Sequence, residues 1–449
     1  MTAIVLKKTP HQTELDRQLG ALQAQAQANT VTNRILAQKR QQAGQALGEL
    51  RLPNKRDEEW QFTDLSDFKQ IAFTAAPPPQ LDRQRAETFF LSEAVQSRLV
   101  FVNGVFAENL SDVGALPNRV ICDHWVNLSL TQQETLATYW EQQSDQQDVF
   151  AALNTSGLQD VAVVWIPADV TVDVPIHCLF LSVVDPTPAL IQPRLLVVAE
   201  ANSRLTLVES YGAIASNCTD RPQQQPYCNN TVSEIYVGDN AHVTHVRNQR
   251  DSGDSFHFAT TAIAQGRDSY YRLFDINLGA KLSRHTLSMI QCGEHTETHF
   301  FALTNLVGRQ TSDTHSSIDL RYPHGTTNQL HKCIVDDYAQ AIFSGKVLVP
   351  QAAQLTYACQ LNRNLVLSSK ARINTKPELQ ITADNVKCSH GATISQLEAD
   401  EVFYLRSRGL NDYDARHLLI DAFAGEILDQ IPLASLQHRL RQCIACRTI

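Results

Sequence analysis

Between Asp160 and Leu405 the chain is a succession of short β-rich runs, with no amphipathic helical period to interrupt them. Val161–Ile166, Val172–Val174, Leu195–Ala199, Phe256–Ile263, Phe300–Leu306 and Ile342–Val349 are examples. Polar turn residues such as Gly238-Asp239-Asn240 and Ala383-Asp384-Asn385 separate them. An open sheet of that length would have to curl or split, and hairpin dipeptides are scarce after Asn103-Gly104. A stacked β-solenoid meets both conditions, because each short strand pairs with the coil before it and the chain bends at polar corners. The expectation is a mainly β protein built on one elongated core.

The flanks change period. Up to about Leu50 the chain is rich in Gln, Ala and Leu, with Leu15, Leu19, Leu22, Ile35 and Leu36 near helical spacing. Pro53 ends that stretch. Lys55-Arg56-Asp57-Glu58-Glu59-Trp60-Gln61-Phe62 then places an aromatic pair behind a dense charge cluster, which reads as a segment pinning Trp60 and Phe62 onto a core. Pro77-Pro78-Pro79 marks a linker, and Leu99–Phe106 reads as strand, Asn-Gly turn and strand. At the far end, Ala415, Leu418, Leu419, Ala422, Phe423, Ile427 and Ile431 form one helical stripe, and a second short helix fits Leu433–Ile444. Such a stripe either packs on its own core or serves as a docking face at the end of a solenoid. The division drawn is 1–98 helical, 99–405 β-solenoid and 406–449 helical.

Composition narrows the class of function. Lys and Arg total 38 against 47 Asp and Glu, a net charge of −9, which makes free nucleic acid and anionic membrane poor partners. Ten cysteines are scattered through 449 residues rather than packed into a small scaffold. Met1–Leu15 already holds Lys7, Lys8, His11 and Glu14, so no secretory apolar region opens the sequence, and Val161–Ala168 is too short to span a bilayer. The expected setting is intracellular, with reduced thiols.

Candidate chemistry is sparse. Gly345-Lys346 lacks the glycine spacing and the Ser/Thr of a phosphate loop, so the chain is expected to bind no nucleotide itself. Asp313, His315 and Ser316 have the residue types of a hydrolase triad without its spacing. Cys443-Ile444-Ala445-Cys446 is a lone CxxC pair that reads as frayed-tail thiols. On a strand, His295, Glu297 and His299 would share one face and could hold a divalent metal, or simply be polar surface residues. Val386-Lys387-Cys388-Ser389-His390-Gly391-Ala392-Thr393 is the sharpest constellation. Strand period puts Cys388 and His390 on one face about 7 Å apart. That pair could ligate a soft metal or an iron–sulfur species, or merely fill a column beneath Val386.

Read with Phe403-Tyr404-Leu405-Arg406-Ser407-Arg408-Gly409-Leu410, Ala415-Arg416 and Ala422-Phe423-Ala424, that motif closely resembles the SufB/SufD family of iron–sulfur cluster assembly proteins. His331-Lys332-Cys333, Phe343-Ser344-Gly345-Lys346, Gln351–Thr356, Leu365–Ser368 and Lys55–Trp60 resemble the same family in the expected order. The Cys-Ser-His-Gly-Ala-Thr version is that of the SufD branch. The resemblance implies a right-handed parallel β-helix core between N-terminal and C-terminal α-helical domains. It implies a non-catalytic scaffold that pairs with SufB and docks the ATPase SufC, with clusters built at the SufB–SufD interface and passed to apo-proteins. It further implies His390 as the cluster-site residue with Cys388 beside it, a transient iron–sulfur cluster as cargo, and the Ala415–Ile427 stripe as the SufC-docking face. A homodimer when SufB is absent, and a cytoplasmic or plastid-stromal setting, are the matching expectations. The readings weighed against it are a stand-alone metal-binding chaperone and a β-helix carbohydrate-active enzyme.

Overall fold

The computed structural model describes residues 10–28, 31–76, 81–140, 148–183, 187–214 and 225–447. The linker read at Pro77-Pro78-Pro79 lies outside them. The protein is mainly β, with a solenoid core of about 7 turns flanked by N- and C-terminal helices. Fourteen strands carry those turns: β1 (Arg194–Ala199), β2 (Arg204–Ala213), β3 (Tyr227–Val237), β4 (His242–Arg250), β5 (Phe256–Gln265), β6 (Tyr270–Leu278), β7 (Leu282–Gln291), β8 (Glu297–Leu306), β9 (Thr311–Asp319), β10 (Thr326–Val335), β11 (Gln340–Val349), β12 (Tyr357–Val366), β13 (Arg372–Ile381) and β14 (Lys387–Ser395). Odd strands stack in parallel into one sheet and even strands into the other. At the N-terminal end Ala162–Ile166 extends the odd sheet, and Arg98–Val102 and Ile176–Ser182 extend the even one.

One corner of each coil is made by a residue in the left-handed region: Asp169, Asn202, Asn240, Asp268, His295, His324 and Leu355, with φ between 55° and 61°. Asn and Asp tolerate that conformation best. Each N–H there donates to a carbonyl of the next coil's corner, as from Asn202 to Asp239 at 2.9 Å and from His324 to Gln354 at 3.0 Å. Side chains extend the ladder: Asn240 Nδ2 donates to Asn202 Oδ1 at 2.8 Å, and Asn202 Nδ2 donates to Asp169 Oδ1 at 2.7 Å. The Val172–Val174 run is no strand. It lies in this bend, bridged only through Thr171 to Arg204, with Val172 buried in the core beneath.

The solenoid interior is more polar than the apolar runs suggest. Arg247 Nη1 donates to Asp275 Oδ1 at 2.9 Å, and Arg247 Nη2 donates to His257 Nε2 at 2.7 Å. His285 pairs with the second Asp275 oxygen at 2.9 Å, and His245 with Glu209 at 3.0 Å. These groups are all buried, and pairing is the condition for a charge to stay there. Strands such as Thr311–Asp319 therefore carry almost no hydrophobic signal, although Ser312, Thr314 and Ser316 point inward. The strands continue past the apolar runs through such polar, buried positions, as in Tyr227–Val237.

The helices cover the outer faces. From the N-terminal side, α1 (Pro10–Ala26), α2 (Arg34–Leu47) and α3 (Val149–Ser156) pack together, and Leu19, Leu22, Leu47, Phe150 and Leu153 meet Phe256, Phe258 and Leu282 of the odd sheet. At the C-terminal side α4 (Ala399–Ser407) precedes α5 (Asp412–Leu428) and α6 (Ala434–Arg447). The division drawn at 405–406 thus falls inside α4. Asn411 caps α5, its side chain accepting from the Asp414 N–H. Ile420, Ala424, Ile427, Leu428, Leu436 and Leu440 pack on Phe274, Phe301, Leu303 and Leu330 of the even sheet. Lys332, nearly buried, reaches from β10 to the Phe423 carbonyl at 2.7 Å and to Glu426, tying α5 to the solenoid.

Burial lowers His177 to about 3 and His331 to about 4, so both rings are folded in as neutral groups. The unfolded chain takes up these protons near the ordinary histidine value. Stability is therefore full above that value and is lost as pH falls towards the folded values, with each ring costing about 2 kcal/mol by pH 5. Denaturant unfolding at stepped pH between 7.5 and 5 checks the slope, which His331→Gln is expected to flatten.

Candidate functional site

Among the described residues no further strand covers the C-terminal end of the solenoid. β13 and β14 are the terminal strands of their sheets, each bonded on one edge only. In the coil before them the inward side chains are sealed: Ala358, Gln360, Asn362 and Asn364 are 1% exposed or less. Their in-register partners on β14 are Cys388, His390, Ala392 and Ile394. The same inward face is now open, so His390 is exposed and Ile394 is 56% exposed. Cys388 is half-buried against the core beside Val386, and burial pushes its thiol above the ordinary value. Gly391 points outward, where a Cβ would sit 3.3 Å from Leu361 Cδ1. The motif thus places a thiol and an imidazole together on an accessible strand with an unpaired backbone edge. That edge suits a second chain completing the sheet, and the two side chains suit a soft metal or a cluster shared across it.

Other candidates are not assembled as the sequence suggested. His295, Glu297 and His299 do not share a strand face: β8 begins at Glu297, and His295 sits in the left-handed corner with its ring stacked on His324 at 4.3 Å. The His299 ring pairs with Glu297 at 2.6 Å instead. Among the described residues no group of three His, Cys, Asp or Glu side chains is placed to hold a metal ion. Strand period does not run through the left-handed corner at His295. Cys443 and Cys446 lie within α6, so they are helical thiols rather than a frayed tail.

The C-terminal stripe is divided. Ala415 and Ile427 are fully buried in the chain's own core, Leu419 and Phe423 are half-buried, and Leu418 (49%) and Ala422 are exposed. Spacing could not separate these, because two surfaces compete for one helix. Leu418 borders a cavity of about 450 Å³ between α5 and α6, together with Asp414, His417 and His438. Phe403 (72%), Tyr404 (57%) and Tyr413 (48%) are exposed nearby in sequence, a group of aromatic side chains that the stripe did not include.

Asp313 and His315 do pair, at 3.0 Å, but Ser316 points to the opposite, inward face and bonds Gln329. Asp313 belongs to a staple. It accepts from Thr63 and from Arg284, whose guanidinium lies 3.8 Å over the Trp60 ring and donates to the Glu59 carbonyl at 2.8 Å. Burial would raise the Asp313 carboxyl, but Arg284, His315 and Thr63 together hold it below the ordinary range. Trp60 also stacks on Phe150, whereas Phe62 is 43% exposed and is not pinned. Lys376 on β13 pairs with Glu58 at 2.7 Å. The charged segment is therefore a strap from the N-terminal region to the last coils, walling a groove of about 780 Å³.

Comparison with known proteins gives a consistent picture. Residues 182–423 match the family described as "SUF system FeS cluster assembly, SufBD core domain", and residues 17–178 match "SufBD protein N-terminal region". The chain is 69% identical over 453 residues to an iron-sulfur cluster assembly SufBD family protein of Synechocystis, covering all of both chains. It is 33% identical to the chloroplastic protein ABCI7 of Arabidopsis thaliana, over 87% of this chain and 81% of that one. It is 34% identical to the iron-sulfur cluster assembly protein SufD of Escherichia coli over 46% of this chain and 49% of that one.

Thiol reactivity should follow the burial pattern. Alkylation followed by mass spectrometry is expected to label exposed Cys446 first and half-buried Cys388 later. Buried Cys122, Cys178, Cys228 and Cys333 should react only on unfolding.

Proposed function

Because this chain belongs to the SufB/SufD family of iron–sulfur cluster assembly proteins, we propose that it is a non-catalytic scaffold subunit whose open solenoid end pairs with SufB. The observation that carries this is the placement of Cys388 and His390 on the uncovered inward face of β14, beside an unpaired strand edge. A partner strand added there would bury that face and set both side chains at the seam, where a nascent iron–sulfur cluster is the cargo. When SufB is absent, a second copy of this chain offers the same edge. SufC docks on the exposed part of the C-terminal helices, around Phe403, Tyr404, Tyr413 and Leu418. Its ATP hydrolysis moves those helices, and the Lys332 tie from β10 to α5 passes the motion into the solenoid. The chain itself breaks and makes no covalent bond and binds no nucleotide. The setting is the cytoplasm, or the stroma in a plastid-bearing organism. Among the described residues no helix is long and apolar enough to cross a membrane.

For the scaffold, His390→Ala is expected to lower cluster formation by the reconstituted complex on the order of tenfold, the scale of losing a metal-site group. Unchanged formation would remove His390 from the site. For the docking face, Leu418→Glu should abolish co-purification of SufC while leaving the melting temperature in place. Ile427→Glu, buried in the core, should instead prevent folding, by several kcal/mol for an unpaired buried charge. Retention of SufC by Leu418→Glu would refute the docking surface.

A further inference from the structure

The inward face of the last coils carries a polar column with one group left unpartnered. Phe300, Gln329, Gln360 and His390 stand in register on successive even strands. Gln360 Nε2 donates to Gln329 Oε1 at 2.9 Å, and Gln329 Nε2 donates to Ser316 Oγ across the interior at 2.8 Å. Both amides are buried, at 1% and 3% exposure. Gln360 Oε1 is also buried, yet no hydrogen bond reaches it among the described residues. A buried carbonyl oxygen is ordinarily satisfied, so an orphan calls for a physical account. The donor end of Gln360 is committed to the coil below, and the residue in register above it is His390.

The opposite wall is shaped for this amide. A Cβ at Gly345 would lie 2.4 Å from Gln360 Nε2 and 2.6 Å from Phe343 Cζ, so only glycine leaves the amide its place. Three residues thus fix the column: Gln329 below, and Ser316 and Gly345 across the interior.

We propose that Gln360 is a positioning residue for His390: its Oε1 accepts the proton of one imidazole nitrogen and leaves the other nitrogen's lone pair facing out of the open end. This rests on the reading of His390 as the cluster-site residue. A neutral imidazole has one donor and one acceptor nitrogen, and the bond made by the first decides which is free as a ligand. Oxygen acceptors of this kind orient metal-binding histidines in general. The interior column therefore aims a ring that otherwise sits on an exposed edge strand.

Nitrogen-15 histidine labelling of the full chain, with the His390 signals identified by their loss in His390→Gln, tests the bond directly. At mildly alkaline pH, the two His390 ring nitrogens are expected at separate protonated and unprotonated positions, the signature of one tautomer. Gln360→Met, similar in shape but lacking the oxygen, should collapse them towards a common average, and Gln360→Glu should restore the separation. Gly345→Ala, which keeps Gln360 but drives its amide aside, should act like Gln360→Met. An averaged ring in the native chain, or an unchanged separation in Gln360→Met, overturns the proposal. The tautomer is read without any cluster, so this failure is distinct from failure of the site itself, which normal cluster formation by His390→Ala would reveal. In the reconstituted complex Gln360→Met is expected to slow cluster formation on the order of tenfold, with rescue by Gln360→Glu.

Discussion

The structure depends on parallel, in-register stacking of one coil on the next. Strands within the stack bond two neighbours, inward side chains lie in register with those of the coil below, and each left-handed corner N–H finds a carbonyl in the adjoining coil. This arrangement satisfies backbone and interior only as long as another coil follows. At β14 none follows among the described residues, and the features that suit a partner are the direct consequence. Cys388 and His390 occupy positions that are interior in the preceding coils and become accessible only because the stack stops.

The same stacking explains why the core tolerates charge. A position repeated through the coils forms a column, and neighbouring members can complement one another, as in Glu209–His245 and Arg247–Asp275–His285. Removing one member would strand its partner in a low dielectric, so these residues form a connected set rather than separate contacts. Towards the open end the columns change from ion pairs to amides and hydroxyls, at Gln329, Gln360, Asn362 and Asn364. These side chains are neutral and, Gln360 Oε1 and Asn364 Oδ1 apart, hydrogen-bonded.

The strap and the C-terminal helices tie the two flanks to the last coils. Trp60 is held between Arg284 and Phe150, Glu58 reaches Lys376, and Lys332 reaches Phe423 and Glu426. Because α5 buries Ile420, Ala424 and Ile427 on the solenoid, it cannot offer its whole apolar stripe to another protein. What remains outward is narrower and more aromatic than the stripe suggests, and it borders the α5–α6 cavity.

Much of this was legible in the residues. Short β-runs with polar corners announce a solenoid, and the period of two puts Cys388 and His390 on one face. Motif order, from Lys55–Trp60 to Ala422–Ala424, points to the family because each is a local pattern that survives without coordinates. The strand Thr311–Asp319, the corner at His295 and the division of the α5 stripe were not legible. Each is decided by contacts between residues far apart in the chain. A polar strand forms because parallel neighbours satisfy its backbone, His295 turns because its N–H meets Pro323, and Ile427 is buried because the even sheet reaches it first. Local chemistry, set by spacing along the chain, was therefore determined by the sequence by itself. Which side chains are sealed and which are presented was decided by where the stack of coils ends.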